Sequence, residues 1–224
     1  KKAGKFFAVM ASAAMVVTSI PMNYGYAKAD SVQADSAVVK IASETSTVEK
    51  NASDVAVLKK IIAEQKERGA DVNENLNSPQ YDWEEIDGEK RVTRINWKNK
   101  KLCGDISFAG LSELRKLVCS SDGLTGLLTG LDVRENTKLE SLFCGGNQLT
   151  ELDISKNMEL YDLDCEINQL TELDLNNNPK LEYLYCNRNQ LAKLDLSKNI
   201  ELKYLACARN QLTALDISKN IKLE

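Results

Sequence analysis

The chain has 224 residues, with 29 basic and 33 acidic side chains, no histidine and a formal net charge of −4. This acidic balance argues against a nucleic-acid or anionic-membrane surface, which needs a basic stripe. The missing histidine removes the commonest general base and the commonest zinc ligand together.

Residues 1–29 read as a signal peptide. Lys1, Lys2 and Lys5 form a positive start, 6–20 is apolar and uncharged, and Pro21 breaks the run. Ala27-Lys28-Ala29 then fits the small-x-small cleavage rule. The apolar run is short of the roughly 20 residues a membrane helix needs, so no span is expected in the mature chain. Removing 1–29 takes away four lysines and no acid, which leaves 25 basic against 33 acidic side chains, a net charge of −8. The sequence does not begin with Met and stops two residues into another copy of its repeat, so a fragment that continues is expected.

Residues 30–53 are rich in Ser, Thr, Ala and Val and have no aromatic residue, the composition of a flexible linker. A helix is expected over 54–69, with Val55, Leu58, Ile61, Ile62 and Gln65 at helical spacing. Asp54 is its expected cap, Gly69 its end, and Glu64 with Arg68 an i,i+4 ion pair. This helix lies within 54–91, read as an N-terminal cap over the open end of residues 92–224.

A 21-residue repeat governs 92–224. Cys144, Cys165, Cys186 and Cys207 recur at that interval in "LESLFCGGNQLTELDISKNME" and its three successors. An earlier copy, 114–138, carries four extra residues inside "LTGLLTGLDV". The first copy starts at Val92, keeps Ile95 and Leu102 in register and puts Trp97 in the cysteine slot. Each unit is nearly two copies of one phrase, because Leu139-x-x-Leu142-x-Cys144-x-x-Asn147 is followed by Leu149-x-x-Leu152-x-Ile154-x-x-Asn157. Apolar–polar alternation in each half predicts a short strand with one buried face. One turn cannot bury that face alone, whereas stacked turns share a continuous core.

The pattern L-x-x-L-x-C-x-x-N-x-L closely resembles the leucine-rich repeat. The 21-residue length and the "LDLSKN" half are similar to the class found in secreted and surface proteins of bacteria. The "LKKIIAEQKERGADVN…YDWEEIDGEKRVTRINW" lead-in resembles the N-terminal cap of such proteins. The resemblance implies a parallel β solenoid with a ligand-binding face. The fold expected is therefore a leucine-rich repeat solenoid with short strands on both sides and an α-helical N-terminal cap.

Asn147, Asn168, Asn189 and Asn210 end the first strand of each turn, where an Asn can bond buried backbone groups of neighbouring turns. Asp122 holds that place in the irregular copy. The cysteines fill the third inward position, which the second half gives to Ile154, Leu175, Leu196 and Ile217, so the slot asks for a modest apolar group. Adjacent turns lie about 4.8 Å apart, and a disulfide between them would distort the stack. Secretion favours pairing all the same. Thiols in a line do not converge on a zinc ion. Cys103 falls off the column.

Outward positions are free of packing constraint. The second half-repeat shows little change there: Asp132, Asp153, Asp174, Asp195 and Asp216 form one column and Lys156, Lys198 and Lys219 another, a solvated face. The first half varies, with Phe143, then Asp162, Asp164 and Glu166, then Tyr183, Tyr185 and Arg188, then Tyr204 and Arg209. Tyr and Arg are enriched at binding hot spots, and exposed apolar patches tend to mark contacts. The competing reading is a pair such as Tyr183 over Tyr204 that stabilises the sheet. Calcium at Asp162, Asp164 and Glu166 would need further oxygens from a loop, and carboxylate-driven glycoside hydrolysis would need a cleft.

These nine residues form the expected ligand-binding set, for a protein or glycan at a surface. The sequence calls for no catalytic residue, no metal, no cofactor and no nucleic-acid partner. The function expected is a non-catalytic binding or adhesion module of a secreted or cell-surface bacterial protein. The alternative is a targeting module of a larger secreted enzyme.

Overall fold

The computed structural model describes residues 48–123 and 125–224. The signal-peptide reading and most of the 30–53 linker lie outside the described residues. The folded unit runs from Thr45 to Glu224. The linker reading extends too far: Asn51 N–H donates to Lys90 O at 2.8 Å and Lys90 N–H to Glu49 O at 2.9 Å, so the chain is tied to the folded body before residue 53.

Helix α1 spans Ala52–Glu67. Asn51, not Asp54, caps it, its side-chain oxygen accepting from Asp54 N–H at 3.0 Å. Asp54 is fully buried and accepts from Arg91 Nε and Nη2, both at 2.9 Å, and from Val92 N–H at 3.0 Å. A buried carboxylate beside a half-buried cation and an otherwise orphaned N–H is worth more as a clamp than as a helix cap. Arg68 does not pair with Glu64; it donates to Cys103 O at 3.0 Å and Asp105 O at 2.9 Å. Gly69 ends the helix with φ +91°, as expected. Leu58, Ile61 and Ile62 face the core, and Gln65 exchanges two hydrogen bonds with the backbone of Cys103 at 3.0 and 3.1 Å. The helix thus covers the first turn of the solenoid.

Strands β1 (Tyr81–Ile86) and β2 (Glu89–Asn96) form an antiparallel hairpin. Asp87 and Gly88 join them at φ 53° and 81°, the two left-handed residues a tight hairpin turn needs. From β2 the main sheet continues in parallel through β4 (Lys116–Val118), β6 (Ser141–Phe143), β7 (Asp162–Asp164), β8 (Tyr183–Tyr185) and β9 (Tyr204–Ala206). Equivalent residues face each other without slippage, Leu142↔Leu163↔Leu184↔Leu205. A one-residue slip would bring this leucine row out of the core.

The return side is only partly stranded. β3 (Cys103–Ser107) and β5 (Leu127–Asp132) pair in parallel, β5 drawing on the four-residue insertion. Beyond them the return segments carry no strand, and a backbone bond at the start of each, such as Gln169 N–H to Leu149 O at 2.8 Å, ties it to the turn before. There Asp153, Asp174, Asp195 and Asp216 each accept the N–H two residues on, at 2.9–3.0 Å. These local Asx turns take up donors that a sheet ladder would use. The acidic column is therefore a row of turn formers as well as a solvated face. Its local hydrogen bonds, to Ser155, Ser197 and Ser218, hold the Asp153, Asp195 and Asp216 carboxyls below their ordinary range.

The core is a stack of leucines closed by aromatics at the helix end. Trp97 fills the cysteine slot there, fully buried, edge-on to Tyr81 at 6.2 Å and tilted against Phe108 at 5.7 Å. The four cysteines from Cys119 to Cys186 are buried, Cys103 and Cys207 are half-buried, and all six thiols are free. Burial pushes the Cys119 and Cys186 thiols up to about 12 and those of Cys144 and Cys165 well above the ordinary range. They are neutral packing groups. Replacing Cys186 by serine should cost about 1–3 kcal/mol, since a hydroxyl would be buried in its place. A urea midpoint equal to that of the parent would refute the filling role.

The asparagines do what their position predicts. Asn168 accepts from Leu149 N–H at 3.0 Å and donates to Cys144 O at 3.2 Å and Cys165 O at 3.1 Å, tying its own turn to the one before. Asn147, Asn189 and Asn210 repeat the pattern. Asp122 does not join this ladder; it is exposed and bonds outward to Asn99 at 2.7 Å and to Lys98 at 3.0 Å. A carboxylate has no N–H to offer the buried carbonyls. A second ladder runs along the return side through Asn136, Asn157, Asn178, Asn199 and Asn220. These amides donate twice each, as Asn178 does to Ile154 O at 3.1 Å and Asn157 O at 2.9 Å, while their buried Oδ1 atoms find no partner among the described residues.

Candidate functional site

The outward residues of β4 to β9 form one face with three columns. Lys116, Ser141, Asp162, Tyr183 and Tyr204 make the first, and Val118, Phe143, Asp164, Tyr185 and Ala206 the second. Gly145, Glu166 and Asn187 belong to the third, just past the strands. Seven of the nine expected residues meet here: Phe143, Asp162, Asp164, Glu166, Tyr183, Tyr185 and Tyr204. Arg188 and Arg209 stand apart on the rim. Both have positive φ, 53° and 57°, at the corner after each strand, and both are exposed.

The tyrosine contact differs from the expected one. Tyr204 leans diagonally onto Tyr185, with ring centroids 4.9 Å apart, rather than stacking on Tyr183. Tyr204 is exposed on β9, the edge strand of the sheet. Two residues of this surface were not singled out by the sequence. Tyr161 is exposed one residue before Asp162, and Lys116 places its ammonium 5.0 Å from the Phe143 centroid. Counting one residue back from each strand would have found Tyr161; the lysine needed the register of β4 against β6. Ser141 belongs to the first column but is buried.

The two aspartates are partly buried yet have no cation beside them. At four places along the solenoid acid and lysine do pair from turn to turn, Lys138–Glu113 at 2.7 Å, Lys203–Glu182 at 2.6 Å, Lys222–Glu201 at 2.5 Å and Lys180–Glu159. Among the described residues neither Asp162 nor Asp164 has an ion pair. Asp162 Oδ1 is buried with no hydrogen-bond partner. Asp164 Oδ1 accepts from Glu166 N–H at 3.1 Å, and Glu166 accepts from Asn187 at 3.2 Å. Gly145 makes room for the Asp164 carboxylate, because a Cβ there would stand 2.8 Å from its oxygen. Burial raises the Asp162 carboxyl, against the pull of Lys116. Burial, with the charges of Glu166 and Asp162, pushes Asp164 up to about 6, against the Glu166 N–H and Lys98.

That shift carries a sign. A carboxyl raised above its unfolded value of 3.8 disfavours the folded state where it is ionised, and the penalty grows as pH rises towards about 6. Asp164→Asn should therefore stabilise the protein at pH 7, by roughly 1–2 kcal/mol once solvent screening is discounted. The gain should shrink with falling pH and vanish below about 3.8. Urea unfolding at pH 7 and pH 3.5 tests it, and equal gains at both would contradict it.

Together, the parallel strands, the inward leucine rows and the asparagine corners define a leucine-rich repeat solenoid. No protein-family model matches the sequence, and no curated protein does. Among solved structures, the functional domain of InlJ from Listeria monocytogenes, described as including a cysteine ladder, is similar at 36% identity and a TM-score of 0.52. The match covers 58% of this chain and 28% of that one, so this chain spans little more than a quarter of its length. The leucine-rich repeat ectodomain of the receptor kinase SOBIR1 from Arabidopsis thaliana shares the fold, at 22% identity and a TM-score of 0.61 over 74% of this chain and 96% of that one. The BIR2 ectodomain from the same plant is alike in fold at 19% identity, a TM-score of 0.52, and 74% and 95% coverage. Among the described residues no helix is long and apolar enough to cross a membrane, and no group of three or more Cys, Asp or Glu is placed to hold a metal ion.

Proposed function

We propose that the chain is a non-catalytic binding module of a secreted or cell-surface bacterial protein, which takes a protein ligand on the outward face of β6–β9. The observation that supports this most is a pair of partly buried carboxylates, Asp162 and Asp164, that stand without an ion pair beside half-exposed tyrosines. Such groups add nothing to folding, and a partner would satisfy them. The similarity to the InlJ functional domain, with its cysteine ladder, supports the bacterial setting. Phe143, Asp162, Asp164, Glu166, Tyr183, Tyr185 and Tyr204 make the contact, with Arg188 and Arg209 at the rim.

Tyr185→Ala combined with Asp164→Ala should lower the affinity for a protein ligand at least tenfold while leaving the circular dichroism spectrum unchanged. The check is a binding screen of the parent and the double variant against a panel of purified extracellular proteins and immobilised glycans. Equal binding by both would move the site elsewhere. Loss of binding to glycans alone would make the ligand a carbohydrate.

A further inference from the structure

The chemistry of the partner can be read from the notch around β7. Asp162 and Asp164 point outward from one strand, two residues apart. On the β8 side stand Tyr183 and Tyr185, and on the β6 side Phe143 between the small Ser141 and Gly145. The strands carrying Phe143 and Tyr185 are about 10 Å apart, two strand spacings. A cation set over Asp164 would lie one strand spacing, about 5 Å, from the strands that carry Phe143 and Tyr185, where a ring turned toward it can attract a positive charge. Lys116 already uses one side of this arrangement at Phe143, yet it makes no ion pair with either acid.

We propose that Asp162 and Asp164 receive an arginine side chain of a protein partner, with its guanidinium on the carboxylates and its plane beside Phe143 and Tyr185. The inference rests on this face being the binding face. Arginine fits better than lysine because its planar fork can serve two carboxylate groups at once and stacks on aromatic rings. Neither carboxylate has a cation of its own among the described residues, and the guanidinium supplies one.

The site should release its cation on acidification. The titratable and charged groups facing Asp164 are Asp162 and Glu166 on its own strand and just past it, Tyr183 and Tyr185 from β8, and Lys116 and Lys98 from beyond β6. The neutral thiols of Cys144 and Cys165 lie beneath. β6 itself contributes no charge outward. Of the acids, Asp164 is the one raised to about 6, so the notch loses negative charge as pH falls through that value.

The test is titration of the 224-residue chain with N-acetyl-arginine amide, followed by NMR, with the neutral N-acetyl-citrulline amide as control. Shifts should be confined to the outward residues of β6–β8 at pH 7.5. Binding should weaken at least fivefold in Asp164→Asn and at pH 5, stay unchanged in Asp174→Asn, and be absent with citrulline. Equal affinity in Asp164→Asn, equal response to citrulline, or shifts spread over the return-side acids would overturn the proposal. If arginine does not bind here but the Tyr185 and Asp164 double variant still loses its protein ligand, the arginine assignment falls and the binding face stands.

Discussion

Replacing Asp54 by alanine is expected to cost about 2–4 kcal/mol, because the change leaves a half-buried cation and a buried N–H without their partner. Asp54 holds Arg91 through two hydrogen bonds of 2.9 Å and the Val92 N–H through one of 3.0 Å. It is the joint between α1 and the second strand of the hairpin. Loss of that joint should lower amide exchange protection in β2 and β4 before it is felt at β8, since each turn touches only its neighbours. Chemical denaturation gives the magnitude and hydrogen exchange the location. A loss under 1 kcal/mol with protection of β2 intact would mean that the helix is held by its apolar face alone. Asp54→Asn should fall between parent and alanine variant, keeping an acceptor but losing the charge.

Asn168→Ala should cost about 2–4 kcal/mol. One amide serves the Leu149 N–H and the Cys144 carbonyl of the preceding turn and the Cys165 carbonyl of its own, all away from water. The two ladders allow a control within the same molecule. Asn178 donates twice but accepts nothing, so Asn178→Ala strands carbonyls and no N–H group. A buried N–H without an acceptor is the rarer and costlier fault, because a carbonyl retains a second lone pair for other partners. Asn168→Ala should therefore be the more damaging of the two in urea unfolding. The reverse order would show that the return side, not the sheet side, sets the stability of the stack.

The repeats were legible because each inward position recurs every 21 residues, and a fault in one copy is exposed by the others. Cysteine as filling followed from the isoleucines and leucines that share its role in the second half. The first asparagine ladder could be read as well. What the sequence hid lay where residues act once or at a distance. Asp54 looked like a cap because it begins an apolar helical run; its partner, Arg91, is 37 residues away. The β1–β2 hairpin carried an Asp-Gly turn signal between alternating residues, unused in the reading of 54–91 as a cap. The return side misled because alternation says which way side chains point and is silent on where the backbone hydrogen bonds go. On the proposed binding face, the column of acids and tyrosines was visible, but the diagonal Tyr185–Tyr204 contact and the missing cations at Asp162 and Asp164 required the register.

The asparagine corners also bear on how such a chain can change. Asn147, Asn168 and Asn189 each donate to the carbonyl 24 residues back or its equivalent across the insertion, and each receives the N–H 19 residues back. Nothing in that linkage distinguishes one turn from the next. Excising a whole period, such as 150–170, would bring together ends that meet the same bonds as before. A lineage could lengthen or shorten its binding surface in units of one turn, changing which outward side chains stand side by side while the supporting structure stays the same.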